Sequence, residues 1–494
     1  MFKKLLNAIL PPRRTIVARY NAASQSADSQ RNFAGADLLS ADAAMRRTVR
    51  LIISSRARNE YVNNSYANGI ITTLADDTIG RGPRLQIEST APSQTATDAL
   101  NRRERRFHAW AKSIKLNELL RCARIAKALD GETFIRLLVN PSSPNEVKLD
   151  PRIYEAEYVE SETLSETPLA YYASGEPLEI DGIIYDQYGN PTKYRFWKVH
   201  PGSLQGAIPY GFTLEDAEHV IHYGNFYRAG QHRGISEMAP ALNIFNDLRR
   251  YSTAVVLAAE VAARLSFIIS NDLPPEMLEG TVTVDEDGKI DQTALDMRGP
   301  ISLKAGDFNG LVLPAGYRTS QMKAEQPTQQ YCSFKDAKIA EAARVFSMPF
   351  NVAAGNSSAY NYASGRLDHQ VYHKKLLIER DEIGAVILDR IYDRWALFDS
   401  RLHPADYGSV EDESHYWMWD GFEHVDPVKE ANAQALRLAN GVTTLAEECA
   451  REGRDYQTLL RQRQREIADC QEKGLPPMPW MNVQQPVTIQ EKED

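Results

Sequence analysis

The chain has 494 residues, of which 43% are hydrophobic and 25% charged, a composition typical of a globular protein with room for about three domains. Its 57 Lys and Arg residues are outnumbered by 66 Asp and Glu residues, and a net charge of −9 argues against tight sequence-independent binding of nucleic acid. No apolar run is long enough to cross a membrane as a helix, and the scattered Cys122, Cys332, Cys449 and Cys470 favour a reducing compartment such as the cytoplasm.

The first 40 residues predict an arm without a core of its own. Residues 1–12 begin like a signal peptide, but the apolar run is short, is interrupted by Asn7 and ends at Pro11, and no small-residue cleavage site follows. A short amphipathic helix or arm is therefore expected. Residues 13–40 are rich in Ala, Ser, Gln and Asn with little periodicity, which is typical of a poorly ordered segment.

Two helical regions follow the arm. Apolar residues recur at helical spacing over 41–79 and over 97–128, and the two regions end near Gly80 and Gly131. The second region contains the run Arg102-Arg-Glu-Arg-Arg106. This run is a candidate basic patch, although the pattern is more typical of the solvated face of a helix.

Beyond Gly131 the pattern changes to short strands. Gly189-Asn190-Pro191 lies between two such segments and is a hairpin signal. The predicted strands are 133–139, 153–158, 183–188, 192–199 and 220–223. The first half of the chain is therefore predicted to be α+β with mostly antiparallel strands.

Two helices then bracket a small β-rich insert. Residues 235–265 carry one apolar stripe, dominated in its second half by Ala and Val, and residues 334–348 carry another. The insert, 267–330, contains strand-like segments at 281–284 and 311–314. If the two helices pack antiparallel, the insert lies at the far tip of a stalk.

A stretch without any charged residue separates the second of these helices from a longer one. Pro349 ends the shorter helix, because the residue before a proline disfavours the α conformation. Residues 349–365 contain no Asp, Glu, Lys or Arg. Helical spacing then continues over 366–400, which at the α-helical rise reaches about 50 Å. An uncharged loop of this length is either functional or a disordered surface loop.

The C-terminal part is predicted to be mainly helical. Aromatic residues at 415–422 predict a core segment, and helices are expected at 428–440 and 444–469. Thr444 and Glu447 have the spacing of a capping box at the start of the second helix. The polar tail that follows is predicted to be mobile.

Motifs for catalysis or cofactor binding are absent. The chain has no G-x-x-x-x-G-K-[ST], no G-x-G-x-x-G and no G-x-S-x-G. His369 and His373 lie one helical turn apart as in zinc proteases, but Gln370 stands where those enzymes need a Glu base. Asp285, Asp287 and Asp291 resemble a calcium loop only superficially, and the run 285–288 predicts a turn. We predict no enzyme, cofactor or metal site, although scattered carboxylates could still form a nuclease site.

Three blocks of sequence carry a likeness to a known family. They are 230–242, then 346–350 with 361–366, and then 426–430 with 440–455. Together they resemble the lambda-type portal proteins (head–tail connectors) of tailed bacteriophages, in order over about residues 15–470. One departure is Ser364-Gly365, where the family more often has Ser-Ser or Ser-Ala before the Arg, and it leaves the loop conformation open.

The resemblance implies an α+β portal fold with an α/β wing, a two-helix stem, a small β-rich clip, a long wing helix and a helical crown, assembled as a dodecameric ring around a channel. The implied parts are an arm (1–40), the first part of the wing (41–233), a stem helix (234–266), the clip (267–330), a second stem helix (331–348), a tunnel loop (349–365), the second part of the wing (366–425), the crown (426–475) and a flexible tail (476–494).

The resemblance also implies which residues line the channel, form the stem and meet partners. The tunnel loop would line the DNA channel with Asn351, Asn356, Ser357, Ser358, Tyr360, Asn361 and Tyr362. The stem helices would pack through Leu242, Phe245, Leu248, Ile339, Ala343 and Phe346. The clip would contact the terminase and adaptor through Asp285, Asp287 and Lys289.

The predicted function is a structural portal at one capsid vertex, assembled in the host cytoplasm and retained in the virion. Its implied partners are double-stranded DNA bound without sequence specificity, the large terminase subunit, a head-completion or tail adaptor, and the major capsid and scaffold proteins, with no membrane. An acidic chain with an uncharged loop suits DNA that must slide. Two alternatives stay open: a nuclease subunit of the packaging machinery, and a shell or tail-tube protein, against which the stalk argues.

Overall fold

The computed structural model describes residues 27–89, 93–161, 178–203, 211–264, 268–271, 317–320, 329–358, 361–408, 413–422 and 427–476. The chain folds into two compact units. Unit A comprises the chain up to Ile52, Glu157–Ala217 and Phe226–Gly234, and unit B comprises Ile53–Ala156, Glu218–Asn225 and the chain from Ile235. Within the described ranges, no helix has both the length and the apolar character needed to cross a membrane.

The described elements alternate between helices and short strands. The helices are α1 (Ala27–Asn32), α2 (Ala41–Ala44), α3 (Arg47–Asn63), α4 (Ser65–Ile79), α5 (Gln94–Ser113), α6 (Leu116–Leu129), α7 (Leu242–Arg264), α8 (Gln329–Val345), α9 (Phe350–Ala354), α10 (Tyr362–Ile383), α11 (Asp389–Leu402), α12 (Pro427–Ala439), α13 (Leu445–Arg451) and α14 (Tyr456–Glu472). The strands are β1 (Arg84–Ser89), β2 (Glu132–Val139), β3 (Leu149–Tyr154), β4 (Leu178–Ile180), β5 (Ile183–Tyr185), β6 (Pro191–Trp197), β7 (Phe212–Asp216), β8 (Val220–Gly224), β9 (Ile268–Asn271), β10 (Tyr317–Ser320) and β11 (Glu413–Met418).

Unit A is built on an antiparallel sheet in the order β4-β5-β6-β7. The predicted hairpin around Gly189 is confirmed, because β5 and β6 pair across that turn. β5 ends earlier than predicted, since the Asp186 carboxylate accepts hydrogen bonds from the backbone N–H groups of Tyr188 and Asn190 at 2.9 and 2.8 Å. An Asx side chain that bonds its own backbone in this way favours a turn over a strand.

Unit B contains an aromatic core between two antiparallel sheets, β3-β2-β8 and β1-β11. The ring of Phe107 on α5 lies 5.2 Å from that of Trp395 on α11 and 5.7 Å from that of Trp417 on β11. The aromatic segment at 415–422 is therefore core at Trp417 and at the buried Met418, as predicted, whereas Tyr416 is exposed.

A second core in unit B joins α4, α7, α8, α9 and α10. Its fully buried members include Leu74 of α4, Phe245 of α7 and Tyr372 of α10. The apolar spacing of three and four residues along each helix places these side chains on one face, and burying that face is the main source of stability for such helices.

The two helical regions predicted before Gly131 are each interrupted. Residues 41–79 form α2, α3 and α4, and Asn64 caps α4 by accepting hydrogen bonds from two backbone N–H groups of its first turn. Residues 97–128 belong to α5 and α6, which are separated at Lys115, a residue with φ of +56°. Periodicity hides such breaks, because the apolar face is resumed in phase after one or two residues.

Strand β3 starts and ends earlier than the predicted 153–158. It covers Leu149–Tyr154, and Ala156–Tyr158 forms a 3-10 turn instead. Pro151 fits within β3 because this strand lies at the edge of its sheet, where a missing N–H breaks no ladder.

The long helix predicted over 366–400 is confirmed and is longer than expected. α10 and α11 continue into each other through a π-helical turn at Gly384–Leu388, so the helical segment runs from Tyr362 to Leu402. The side chains of Ile387 and Leu388 in this turn are fully buried. A π-helical turn inserts one residue into the helix and thereby shifts which side chains face the core.

The C-terminal helices begin as predicted but include a break. Thr444 and Glu447 form the predicted capping box, with each side chain accepting the other's backbone N–H at 3.1 Å. The predicted helix 444–469 is divided into α13 and α14 at Gly453, whose φ is +68°. Glycine adopts this left-handed conformation without the steric cost that other residues pay.

Candidate functional site

The two helices predicted as a stem pack antiparallel in unit B. The ring of Tyr251 on α7 lies 4.5 Å from that of Phe334 and 5.7 Å from that of Tyr331, both near the start of α8. At the opposite end, Phe245 near the start of α7 and Phe346 just after α8 are buried in the same core. The two helices therefore run side by side in opposite directions, as the sequence pattern predicts.

The residues expected to hold the stem together do meet. Phe245, Ile339, Ala343 and Phe346 are fully buried in one core, and Leu248 is almost so. Leu242 packs against this core with part of its surface exposed. Burying each large aromatic or aliphatic side chain in this core contributes roughly 1.5–3 kcal/mol to the stability of the folded chain.

The far part of α7 differs from this packed base. Val256, Leu257 and Val261 are exposed, with 56%, 54% and 47% of their surface accessible. Such an apolar patch on a surface helix is typical of a surface that contacts another molecule.

A two-stranded antiparallel pair is formed by β9, which follows α7, and β10, which precedes α8. Ile268 of β9 pairs with Ser320 of β10, and Asn271 pairs with Tyr317. The predicted strands at 281–284 and 311–314 lie outside the described residues, as do Asp285, Asp287 and Lys289. The assignment of these three residues to a clip stays a prediction.

The uncharged segment after α8 is more helical than predicted. Pro349 is extended and precedes α9, and Gly355 ends this helix in the left-handed conformation at φ of +64°. α10 already begins at Tyr362, so a continuous loop over 349–365 is wrong. Asn351 belongs to α9 and Tyr362 to α10, because helical backbone bonds satisfy polar groups that a loop would leave to solvent.

What remains of the predicted loop is exposed and polar. Asn356, Ser357, Ser358 and Asn361 are all exposed, and Tyr360 lies outside the described residues. The backbone N–H of Ser358 donates a 3.0 Å hydrogen bond to the side chain of Asn356. The surface offered by this segment therefore carries amide and hydroxyl groups and no charge.

The base of the loop is held by Asn351. Its amide nitrogen lies 3.3 Å from the hydroxyl of Ser357 and 3.2 Å from Nε2 of His369 on α10. The ring of His373, one turn further on, stacks on Phe422 with 4.0 Å between ring centroids. Both imidazoles thus have structural contacts that anchor α9 and α10.

The Arg102–Arg106 run is only partly the predicted solvated face, because Arg102 and Arg105 are exposed whereas Arg103 and Arg106 are turned inward. Arg103 is fully buried, donates to Glu413 at 2.8 Å and lies over the Tyr407 ring at 3.8 Å. Arg106 donates to the buried Asp399 at 2.7 Å. The helix turns these arginines inward because each finds a carboxylate there, which compensates the cost of burying a charge.

A buried ionic network, which sequence reasoning missed, links α6 and α10. Arg124 is buried and donates to Glu237 at 2.9 Å and to Glu379 at 3.0 Å. Burial by itself would lower the pKa of Arg124, but the charges of Glu237 and Glu379 outweigh burial and raise it. The pKa of Glu237 is lowered, because the charges of Arg124 and Lys375 outweigh the effect of its burial.

A sequence signal for this network exists. Arg124 lies on the apolar face of α6, one residue from the buried Ala123 and four from the buried Leu120, and Glu379 lies between the buried Leu376 and Ile383 on α10. A charged residue on an otherwise apolar helix face predicts a buried partner. The identity of the partner depends on which helices pack together.

Comparison with protein families gives one match over most of the chain. The sequence model described as "Phage portal protein, lambda family" matches residues 29–379. Among individual proteins, the chain is similar to the "Probable portal protein" of Halomonas phage phiHAP-1. The two are 21% identical over 443 residues, and the match covers 86% of this chain and 81% of the relative.

Solved structures also show similarity at low identity. A chain in the neck of an empty gene transfer agent particle is 15% identical, with a TM-score of 0.44, over 85% of this chain and 93% of that one. An HK97 family phage portal protein from Corynebacterium diphtheriae is 13% identical, with a TM-score of 0.25, over 78% of this chain and 96% of that one.

Proposed function

The chain belongs to the lambda family of phage portal proteins, and from this membership we propose that its copies form a dodecameric ring at one vertex of the capsid. Its function is that of a portal, a structural protein of the virion. The observation that carries the proposal is the extent of the family match, because residues 29–379 include both stem helices and the exposed polar loop before α10.

In this proposal the genome passes through the ring and slides past the loop. Asn356, Ser357, Ser358 and Asn361 offer amide and hydroxyl groups, and Tyr360 and Tyr362 belong to the same segment. Each Lys or Arg that neutralises a phosphate releases counterions and strengthens binding, so a charged loop would retard DNA. A polar, uncharged surface supports passage in both directions, during packaging and during ejection.

The stem and its insert supply the outward-facing part of the proposed portal. α7 and α8 lead to β9 and β10, and the insert between these strands contains Asp285, Asp287 and Lys289. We assign to this clip the contacts with the large terminase subunit and later with the tail adaptor. The other parts would meet the major capsid and scaffold proteins.

Electron microscopy of the purified protein tests the ring. We expect class averages of a ring with a central hole and about twelve-fold symmetry, because portals act as closed oligomers. If coexpression with capsid and scaffold proteins still produced no ring, the proposal would fail. Cleavage of duplex DNA in the presence of Mg²⁺ by such a preparation would instead indicate the nuclease subunit.

Charge substitutions in the loop test its contact with DNA. We expect N356K combined with S357K to slow packaging several-fold while rings still form, because added ammonium groups bind phosphates. The matched control is N356Q combined with S357T, which keeps the loop polar and uncharged. Unchanged packaging with both lysines in place would mean that the loop does not face DNA, for instance because it is buried between subunits.

A further inference from the structure

A cleft of about 420 Å³ in unit B lies between α6 and α10 and has an unbalanced set of charges. Its walls contain three lysines and three glutamates. All three glutamates are already paired, because Glu237 and Glu379 bind Arg124 and Glu382 accepts a 2.6 Å hydrogen bond from Lys127. Because Arg124 shares one charge between two glutamates, the surplus is one positive charge, carried by the two lysines on α10.

These lysines, Lys374 and Lys375, form no ion pair with any described residue. Lys374 is exposed, whereas Lys375 is half-buried. Burial lowers the pKa of Lys375, against the opposing charges of Glu237 and Glu379. An ammonium group in this position gains from a carboxylate that can enter the cleft, because a charge-assisted hydrogen bond compensates its lost hydration.

An apolar stripe runs along α10 beside the cleft. Leu367, Val371 and Ile378 are exposed, with 65%, 56% and 60% of their surface accessible, and Lys374 lies between the last two. Intervals of four, three and four residues place all four side chains on one face of the helix. The occupant that fits this surface is therefore a segment with apolar side chains and a carboxylate.

Helix α7 exposes a surface of this composition. Glu260 is exposed and forms no ion pair with any residue that the structure describes, and Leu257 and Val261 are exposed beside it on the same helix. In one copy these apolar and acidic groups face solvent. Their charge and polarity complement those of the α10 face and its cleft.

We propose that the cleft between α6 and α10 receives a carboxylate from α7 of a second copy of this chain, supplied by Glu260. The inference rests on the ring proposed above and names one contact between its neighbouring subunits. In that contact the carboxylate accepts hydrogen bonds from Lys374 and Lys375. Val371 and Ile378 pack on the apolar side chains of α7, which removes both exposed patches from water.

Zero-length cross-linking tests the contact directly. Chains with natural isotopes are mixed with fully ¹⁵N-labelled chains, treated with a carbodiimide that joins an amine to a touching carboxylate, and analysed by mass spectrometry. We expect mixed-isotope peptides that join Lys374 or Lys375 to Glu260. Intermolecular links at other sites, with none at these two lysines, would overturn the proposal.

Charge reversal provides the second measurement. We expect K374E combined with K375E to reduce the ring fraction about tenfold at fixed concentration, because like charges now meet across the contact. Adding E260K to the same chain is expected to restore part of the ring fraction. K112E, on an exposed part of α5, is the matched control and is expected to leave rings unchanged.

The outcomes separate this contact from the portal assignment. If the chain with K374E and K375E forms rings as readily as the unaltered chain, the proposed contact is wrong. The portal function would be unaffected by that result. Dimers that carry the cross-link without ever closing into a ring would support the contact and count against the ring. Absence of both the link and the ring would overturn both.

Discussion

Arg103 and Arg124 show how single charged side chains are accommodated inside unit B. Each guanidinium is fully buried, and each is bound by a carboxylate from a distant part of the chain: Glu413 for Arg103, and Glu237 and Glu379 for Arg124. Removing one partner of such a pair leaves an uncompensated charge and typically costs 3–5 kcal/mol. These residues hold elements together and do not form a basic surface.

Glu104, within the same arginine run, makes the stability of the fold depend on pH. Its carboxylate accepts a 2.7 Å hydrogen bond from the backbone N–H of Ile87. Burial raises its pKa from 4.5 to about 7, with a further contribution from the charge of Asp455. In the unfolded chain this carboxyl ionises above pH 4.5, so between pH 4.5 and 7 folding requires uptake of a proton.

The contribution of Glu104 is therefore fully present below pH 4.5 and is lost as the pH rises through 7. We expect the free energy of unfolding of the unaltered chain to fall between pH 5 and pH 8, relative to that of E104Q, by an amount on the order of 1–3 kcal/mol. The melting temperature should fall with it. E118Q, which changes an exposed glutamate, is the control and should follow the unaltered chain. Parallel melting curves for E104Q and the unaltered chain at both pH values would contradict this account.

At the scale of elements, the turn between α6 and β2 depends on one glycine. Gly131 has φ of +89°, and its N–H donates to the carbonyl of Ala126 at 3.2 Å, which closes the helix end as the sequence predicts. A Cβ at this position would lie 2.1 Å from the backbone carbon of Ile235. The glycine is thus required both for its conformation and for the close approach of another backbone.

Gly189 offers a matched comparison, because its φ is +86° and a Cβ there would meet nothing within 4 Å. We expect G189A to cost about 1 kcal/mol, the conformational term alone, and G131A to cost about 3 kcal/mol or more, because the backbone at Ile235 must also move. Thermal or chemical unfolding of both variants measures the difference. Equal losses of stability would show that the backbone at Ile235 moves away from the added Cβ at little cost in free energy.

At the scale of the whole molecule, apolar surface remains on α7 after the chain has folded. Leu257 and Val261 are exposed on α7, while Phe245 and Leu248 on the same helix are buried. A helix of a monomeric protein normally keeps its outer face polar. The proposed ring would bury this second face between neighbouring copies.

Polar substitutions on that face separate folding from assembly. We expect L257S combined with V261S to change the free energy of unfolding of the single chain by no more than about 0.5 kcal/mol. The ring fraction is expected to fall strongly, because the apolar area available to a neighbouring copy is lost. Y188S, which alters an exposed side chain in the hairpin turn of unit A, is the control. Sedimentation and electron microscopy give the readout, and full ring formation by the double variant would contradict a role for this face in assembly.

Local elements follow from the sequence because their signals are local. Helices α7 and α8, the long helix after the uncharged segment, the hairpin at Gly189 and the capping box at Thr444 each depend on residues within a few positions of one another. Helical periodicity and side-chain caps act over this range in any tertiary context. The family resemblance also needed only the order of short blocks, and the match over residues 29–379 confirms it.

The tertiary structure determined which distant residues lie in contact, and local sequence signals do not contain this information. It turned Arg103 inward, paired Arg124 with Glu237 and Glu379, and converted part of the uncharged segment into α9. A sequence pattern reports that a face is apolar or that a residue is charged. Which distant carboxylate, ring or backbone lies opposite depends on how the helices pack, and the free energy of burying a charge has either sign according to that partner.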